Sequence, residues 1–548
     1  MHVDTATIKQ NGKSYKRYLL RTSYRDGGSV KHKTIANLSG CSQQEVDAIK
    51  LALKHKDNLG ALVSIADLQV AQGKRVGAVW CVYQLAKRLH IEQVLGSDRQ
   101  GKLALWQVIP RLIDQGSRLS AVRLATAHLG CELLGIEKLD EDDLYENLHW
   151  LADNQERLEK ELFARRYPQG LCPSLFLYDV TSAYLEGTHN AFGAYGYDRD
   201  KKRGKMQIVI GLLTDPGGEP VAVRVFEGNT PDGKTVGEQV RVLADSFGVK
   251  HVTLVGDRGM LKGPQLEQLP EGFSYLTAIT KPQIRKLLQQ GTLQYELFSE
   301  RLCEVEHEAI RYVLRRNPLR AQELEKNRQD KLRVIERFAA DVNAYLAEHP
   351  KAGQEVALKR VSTKISKLKA NGYCTAVAEQ RQVSVQIDQE ALREAALLDG
   401  CYALKSDVPK QNADAETLHA RYLDLGEVER GFRTFKTAHL EVRPVYVHKE
   451  KSTQGHVFVV MLAYLIKREL DRAWRNLDIT VQEGLDQLGA LCVQNLTIGN
   501  ASLSRVPAPD ALSAELLQCA GVILPSVLAT ASVRVATKKK LPSERIKK

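Results

Sequence analysis

The chain has no run approaching the ~18 consecutive apolar residues of a membrane helix, which excludes a helical membrane span. Its opening stretch, MHVDTATIKQNGK, lacks the apolar core of a secretory signal, so a cytoplasmic protein is expected. Nine cysteines are scattered from Cys41 to Cys519, odd in number and without a Cys-x-x-Cys pair. That pattern indicates neither a zinc site nor a disulfide framework, and reduced thiols fit the same compartment. There is no P-loop, and the glycines of GTHNAFGAYGYDRD do not form a phosphate cradle after a strand. Internal repeats are absent, and no clean helix-turn-helix stands out.

What is present describes a soluble globular chain. It has 548 residues and 43% hydrophobic content, with a mean hydropathy of −0.30, enough for several domains and a large core. The formal charge is +12 and the isoelectric point is near 9.1. Part of the excess sits in the tail, at Lys538, Lys539, Lys540, Arg545, Lys547 and Lys548. Such a balance favours an anionic partner, nucleic acid being the commonest; a solvated tail is the alternative.

In SYKRYLLRTSYRDGGSVKHKTIANL the turn Arg25-Asp26-Gly27-Gly28 separates two β-rich runs, a hairpin signal. From about Gln43 the pattern turns helical, with Val79, Val82, Ala86 and Leu89 in one stripe and Leu105, Val108, Ile109 and Leu112 in another. Residues 1–166 thus read as a hairpin followed by a largely helical region suited to DNA binding. LCPSLFLYDV is then apolar on both faces, as a central buried strand should be. MQIVIGLLTD, PVAVRVFEGN, a helical TVGEQVRVLADSFG, HVTLVGD and SYLTAIT follow, giving an α/β core that begins β-β-β-α-β over 167–280. From 281 to 407 the pattern is a mixed α/β insertion. Ile310, Tyr312 and Leu314 alternate as a strand, Leu332 to Leu346 line a long helix, and Val383, Val385 and Ile387 return to period two. The core resumes over 408–476, and a weakly patterned region, 477–548, carries the basic tail.

The resumption contains the stretch on which the rest converges, Ala420 to Pro444. Read as one helix, it has an apolar face of Leu425, Val428, Phe432 and Phe435. Beside it run Glu429, Arg433 and Lys436, with Tyr422 a turn back. That line is either a salt-laced helix rim or a carboxylate working beside a polyanion. Asp179, inside the first core strand, and Asp257, closing the fourth, are acids in apolar surroundings, expensive unless paired or bound to metal. If the two strands are neighbours, Asp179, Asp257 and Glu429 converge. Crowded carboxylates repel one another, and oxygen-only ligands select hard cations, Mg²⁺ or Mn²⁺. Two such ions about 3.5–4 Å apart suit phosphoryl transfer.

LYDVTSAYLEG, VTLVGDRGM and YLDLGEVERGFRTFK, leading into LEVRPVYV and GHVFVVMLAYL, resemble the DDE transposases of bacterial insertion sequences, and within them the IS-four-like group. That group's Tyr-x2-Arg-x3-Glu-x6-Lys signature falls on Tyr422, Leu425, Glu429 and Lys436, so leucine stands in the arginine position. Arg430 or Arg433 could substitute, and Glu427 is the rival for the third acid. The resemblance spans roughly Ser174 to Leu470 and includes Gly228, Asn229, Thr230 and Asp232. It implies a ribonuclease H-like mixed-sheet core interrupted by the insertion. It also implies a catalytic and metal-binding triad of Asp179, Asp257 and Glu429 with two Mg²⁺ ions, for which Mn²⁺ can substitute. Cleavage at terminal inverted repeats and strand transfer into target DNA would follow, by a homodimer in a synaptic complex at the bacterial nucleoid. Tyr422, Arg433, Lys436, Arg258, Lys201, Lys202 and Arg203 are the expected DNA contacts, though a packed Tyr422, an Arg258 paired with an acid and a solvated DRDKKRGK loop are the plain alternatives. His448 and His456 are expected to be structural or to touch DNA. A transposase-derived DNA-binding protein and a structure-specific nuclease are the other function classes.

Overall fold

Continuous apolar runs become the inner strands of one large sheet. In the computed structural model, β1 (Leu175–Tyr184), β2 (Gln207–Thr214), β3 (Pro220–Glu227), β4 (Val252–Gly256) and β5 (Phe273–Ala278) are joined by β6 (Cys303–His307), β7 (Ile310–Arg316) and β8 (Cys401–Ser406). The structure describes all residues except 11, 58–67, 169–171, 198, 259, 262–265, 267–268, 438–439, 444, 499–500, 529–533 and 537–548. The basic tail, Asp198 and Pro444 therefore lie outside the described residues.

The strand order is β6-β7-β8-β5-β4-β1-β2-β3. β1, β2 and β3 pair antiparallel, while β4 runs parallel to both β1 and β5. The sheet is thus mixed, and the fold is α/β. Every residue of β2 is buried, as a strand covered on both faces requires. On one face Phe176, Tyr178 and Val180 pack with Val209, Leu213 and Leu254 beneath the turns Val236–Arg241 and Val242–Ser246. The intervening residues of β1, Asp179 among them, point to the other face because side chains alternate along a strand.

That second face is covered by helices. α3 (Ala415–Leu423), α4 (Leu425–Lys436) and α5 (Glu450–Ala473) lie against the strands, α1 (Arg99–Ile113) and α2 (Glu141–Arg166) pack on α5, and Phe163 of α2 joins the Phe176 core. α4 packs on β1 and β2, and α5 packs on α1, α2 and β3. α5 is buried on all sides from Val457 to Ile466, which its unbroken apolar sequence dictates. The stretch expected as one helix is two, because the chain turns at Asp424, which ends α3 and begins α4. The apolar stripe Leu425, Val428, Phe432 and Phe435 is buried as its spacing requires.

The segment 281–407 builds a core of its own around Ile335, Val342, Leu346, Val361 and Ile365. These come from the helices Pro318–Glu348 and Gln354–Lys367 and meet the hairpin of Cys374–Glu379 and Gln382–Ile387. β6, β7 and β8 belong to the same segment, yet they extend the main sheet.

Of the described residues, those within 75–490, 509–523 and 534–536 form one compact unit. The other comprises Met1–Lys74, Leu491–Ala508 and Leu524–Thr530, so the 1–166 and 477–548 regions each contribute to both. In the smaller unit His2–Gln10, Lys13–Asp26 and Ser29–Asn37 form an antiparallel three-stranded sheet. Gly27 and Gly28 both take positive φ between the last two strands, the conformation a two-residue hairpin turn needs. A helix, Gln43–Lys54, follows with a capping box of Ser42 and Glu45. A second sheet sets Cys492–Ile498 between Ala501–Arg505 and Gln69–Arg75. Among the described residues no helix is long and apolar enough to cross a membrane.

Candidate active site

The parallel register of β1 and β4 brings two acids together. Tyr178 pairs with Gly256, so Asp179, next along β1, and Asp257, just past the end of β4, follow from the last paired residues, and the Asp257 charge acts on Asp179. Asp179 is half-buried and its carboxylate accepts the Val180 backbone N–H at 2.8 Å. Its carboxyl is pushed up to about 7, chiefly by burial, against the Val180 N–H. The negative charges of Asp257 and Glu429 push it further up, and Arg199 draws it down. Asp257 is exposed at the end of β4 and accepts the Arg258 N–H at 2.7 Å and the Tyr422 hydroxyl at 3.4 Å. Burial, then Asp257, holds the Tyr422 phenol above its ordinary range.

The third acid arrives on α4. Leu212 faces Asp179 across the β1–β2 pair, and a Cβ on Gly431 of α4 would come within 3.4 Å of Leu212. The helix therefore lies close on the face that carries Asp179, and Glu429 remains exposed. Glu427 is committed elsewhere, to Arg430 at 2.9 Å and Arg468 at 3.8 Å. Among the described residues no three His, Cys, Asp or Glu side chains are gathered tightly enough to hold one ion as they stand. The donor chemistry nonetheless fits a hard divalent cation: all the donors are oxygens, and the Asp179 charge is unfavourable without a counter-charge.

The basic residues divide into free and engaged. Arg433 and Arg258 are exposed, and neither makes an ion pair among the described residues, so Arg258 is not bound to a neighbouring acid. Lys201, Lys202 and Arg203 are exposed too, with Lys202 over the Tyr184 ring at 5.7 Å. Lys436 is engaged. Its ammonium meets Asp200 at 2.9 Å, Arg443 pairs with the same carboxylate, and the Tyr184 N–H donates to it at 3.2 Å. The Asp200 side chain is 3% exposed; a charge so buried needs partners, and this need holds Lys436 inward. Burial lowers the Lys436 ammonium, and Asp200 opposes it. Arg199 makes a two-pronged pair with Asp232, at 2.7 and 2.8 Å.

Asp200, Arg199 and Arg443 were not foreseen as site residues. Their one signal was the acid interrupting a basic run, Asp200 before Lys201, Lys202 and Arg203. Leu425, in the arginine position of the signature, is buried on the core face of α4. His456 is also buried; Arg118 donates to its Nδ1 at 3.1 Å, so its Nε2 donates to the Val442 carbonyl at 3.3 Å. Burial and that guanidinium keep it neutral, well below the usual histidine range, in a structural role.

The sequence of residues 170–466 matches the family described as the transposase DDE domain, and residues 3–61 match the IS1634 family transposase, N-terminal domain. Comparison with curated proteins finds no match. Among solved structures the chain is distantly similar to a piggyBac transposase synaptic complex with hairpin DNA, at 9% identity over 75% of each chain and a TM-score of 0.37. The DDE match covers more than half of the chain and contains all three acids, and the chain belongs to the DDE transposases as the DNA transposase of an insertion sequence.

Proposed function

We propose that Asp179, Asp257 and Glu429 are the catalytic acids and hold two Mg²⁺ ions, for which Mn²⁺ can substitute. The observation that carries this reading is the parallel register that brings Asp179 within reach of the charge on Asp257, and of that on Glu429. When bound, such ions neutralise the crowded carboxylates and supply the activation of nucleophile and leaving oxygen that phosphoryl transfer needs. A ribonuclease H-like core is supported by the order β3-β2-β1-β4-β5, with β4 and β5 parallel to β1. Membership of the IS-four-like group is supported by the spacing of Tyr422, Glu429 and Lys436. Leu425 departs from that pattern, and the exposed Arg433, one turn beyond Glu429, supplies the missing guanidinium.

At the end of the insertion sequence water attacks phosphorus and the strand departs as a 3′-hydroxyl. That hydroxyl attacks the opposite strand or target DNA, and one P–O bond forms as another breaks. Arg433, Arg258, Lys201, Lys202 and Arg203 contact backbone phosphates, where charge-assisted hydrogen bonds fix the strand. Tyr422 positions Asp257 through its hydroxyl, and Lys436 positions the loop through Asp200. The partners are the terminal inverted repeats and target duplex, bound by a homodimer in the cytoplasm at the nucleoid.

The test is Mg²⁺-dependent cleavage of a duplex carrying the terminal repeat, wild type against Asp257→Ala. Cleavage lost with binding retained supports the reading. A wild-type protein that binds but never cuts, in Mg²⁺ or Mn²⁺, contradicts it.

A further inference from the structure

The first 37 residues carry eight Lys and Arg against two acids, an imbalance concentrated on one small sheet. Side chains alternate across that sheet, and the two faces differ. Tyr18, on the central strand Lys13–Asp26, bonds Gln43 through its hydroxyl and lies under Lys50, whose ammonium is 5.5 Å from the ring. Gln43 and Lys50 belong to the helix Gln43–Lys54, so the even-numbered residues of the strand form the helix-covered face. The odd-numbered residues face away. Among them Arg17, Arg21 and Arg25 stand four apart in one row, with the buried Leu19 and then Ser23 between them and Tyr15 beyond. Arg17, Arg25 and Ser23 are exposed, and Tyr15 is 55% exposed. Arg21 is held by Asp4 at 2.7 Å, and Ser23 by His32 at 3.0 Å, which fixes the middle of the row.

We propose that this helix-free face reads the ends of the insertion sequence, its central strand lying in the major groove with Arg17, Arg21 and Arg25 toward the base edges. The proposal rests on the chain being a DNA transposase, and it commits to duplex DNA as the occupant because of the charge. The groove is about 12 Å wide and admits a β-ribbon. Side chains four residues apart along a strand fall about 13.6 Å apart, close to the rise of four base pairs. Arginine is the commonest reader of guanine, through O6 and N7, and lysine does not reproduce its planar fork.

The experiment measures binding of the full-length protein to a duplex carrying the terminal repeat and to a scrambled duplex, with Mg²⁺-dependent cleavage followed in parallel. For Arg17→Ala/Arg25→Ala the preference for the terminal duplex falls about tenfold or more. Arg17→Lys/Arg25→Lys keeps the charge and also loses the preference, with affinity for the scrambled duplex near wild type, which shows that the sheet still folds. 7-Deazaguanine in the repeat lowers the wild-type preference and leaves that of the variants unchanged. Preference retained in both variants overturns the proposal, as does an equal loss on both duplexes, or a change in self-association without a change in preference. Wild-type cleavage reports separately on the transposase reading, which stands or falls without this sheet.

Discussion

At the scale of the residue, Asp179 is the most informative group. The ordinary aspartate value is about 4, and in the fold Asp179 is pushed up to about 7 by burial and by its acidic neighbours. Between those values the folded chain keeps a proton that the unfolded chain has released. Asp179 therefore contributes stability that is full below pH ~4 and is lost as pH rises through ~7. In EDTA at about pH 8, Asp179→Asn should stabilise the protein by on the order of 1–3 kcal/mol, measured by urea unfolding, while abolishing cleavage. An Asn variant less stable than wild type would mean that the carboxylate is favourably paired without metal. The acid was legible in the sequence because a charge inside LFLYDV is out of place. Asp200 was not, because its partner Lys436 lies 236 residues away and nothing local marks the pair.

At the scale of the element, α4 and α5 are positioned by close contact. A Cβ on Gly455 would sit 2.2 Å from the Leu148 carbonyl oxygen, backbone that cannot swing aside. Gly455→Ala should cost about 1–3 kcal/mol by forcing α5 off α2, read as a lower thermal midpoint; an unchanged midpoint would show slack there. The Asp200 clasp joins α4 to the loop before β2, and Asp200→Ala leaves Lys436 and Arg443 buried together. A loss of about 3–5 kcal/mol is expected, measured by denaturant titration, and a loss below about 1 kcal/mol would place the pair among exposed ones. Strands buried on both faces, such as β2, were legible as unbroken apolar runs. Two features were not. His2–Gln10 is a mostly exposed strand whose polar sequence gives no buried alternation, and the pairing of β8 with both β5 and β7 joins segments far apart along the chain.

At the scale of the whole molecule, the charge of +12 sets the response to salt. Affinity for an unrelated duplex should fall roughly a hundredfold or more between about 50 and 200 mM salt, followed by fluorescence anisotropy. A flat response would remove phosphate contacts as the main source of binding. Two acids on α4 compete for the third catalytic place. Glu427 is tied to Arg430 and Arg468, and Glu429 is left exposed within electrostatic reach of Asp179. The most direct measurement is Mg²⁺-dependent end cleavage by Glu429→Gln and Glu427→Gln side by side, with DNA binding as the control. Glu429→Gln should lose cleavage roughly a thousandfold, about 4 kcal/mol of barrier, while still binding, and Glu427→Gln should cut within about tenfold of wild type. The reverse pattern, an active Glu429→Gln and an inactive Glu427→Gln, would contradict the assignment of the site.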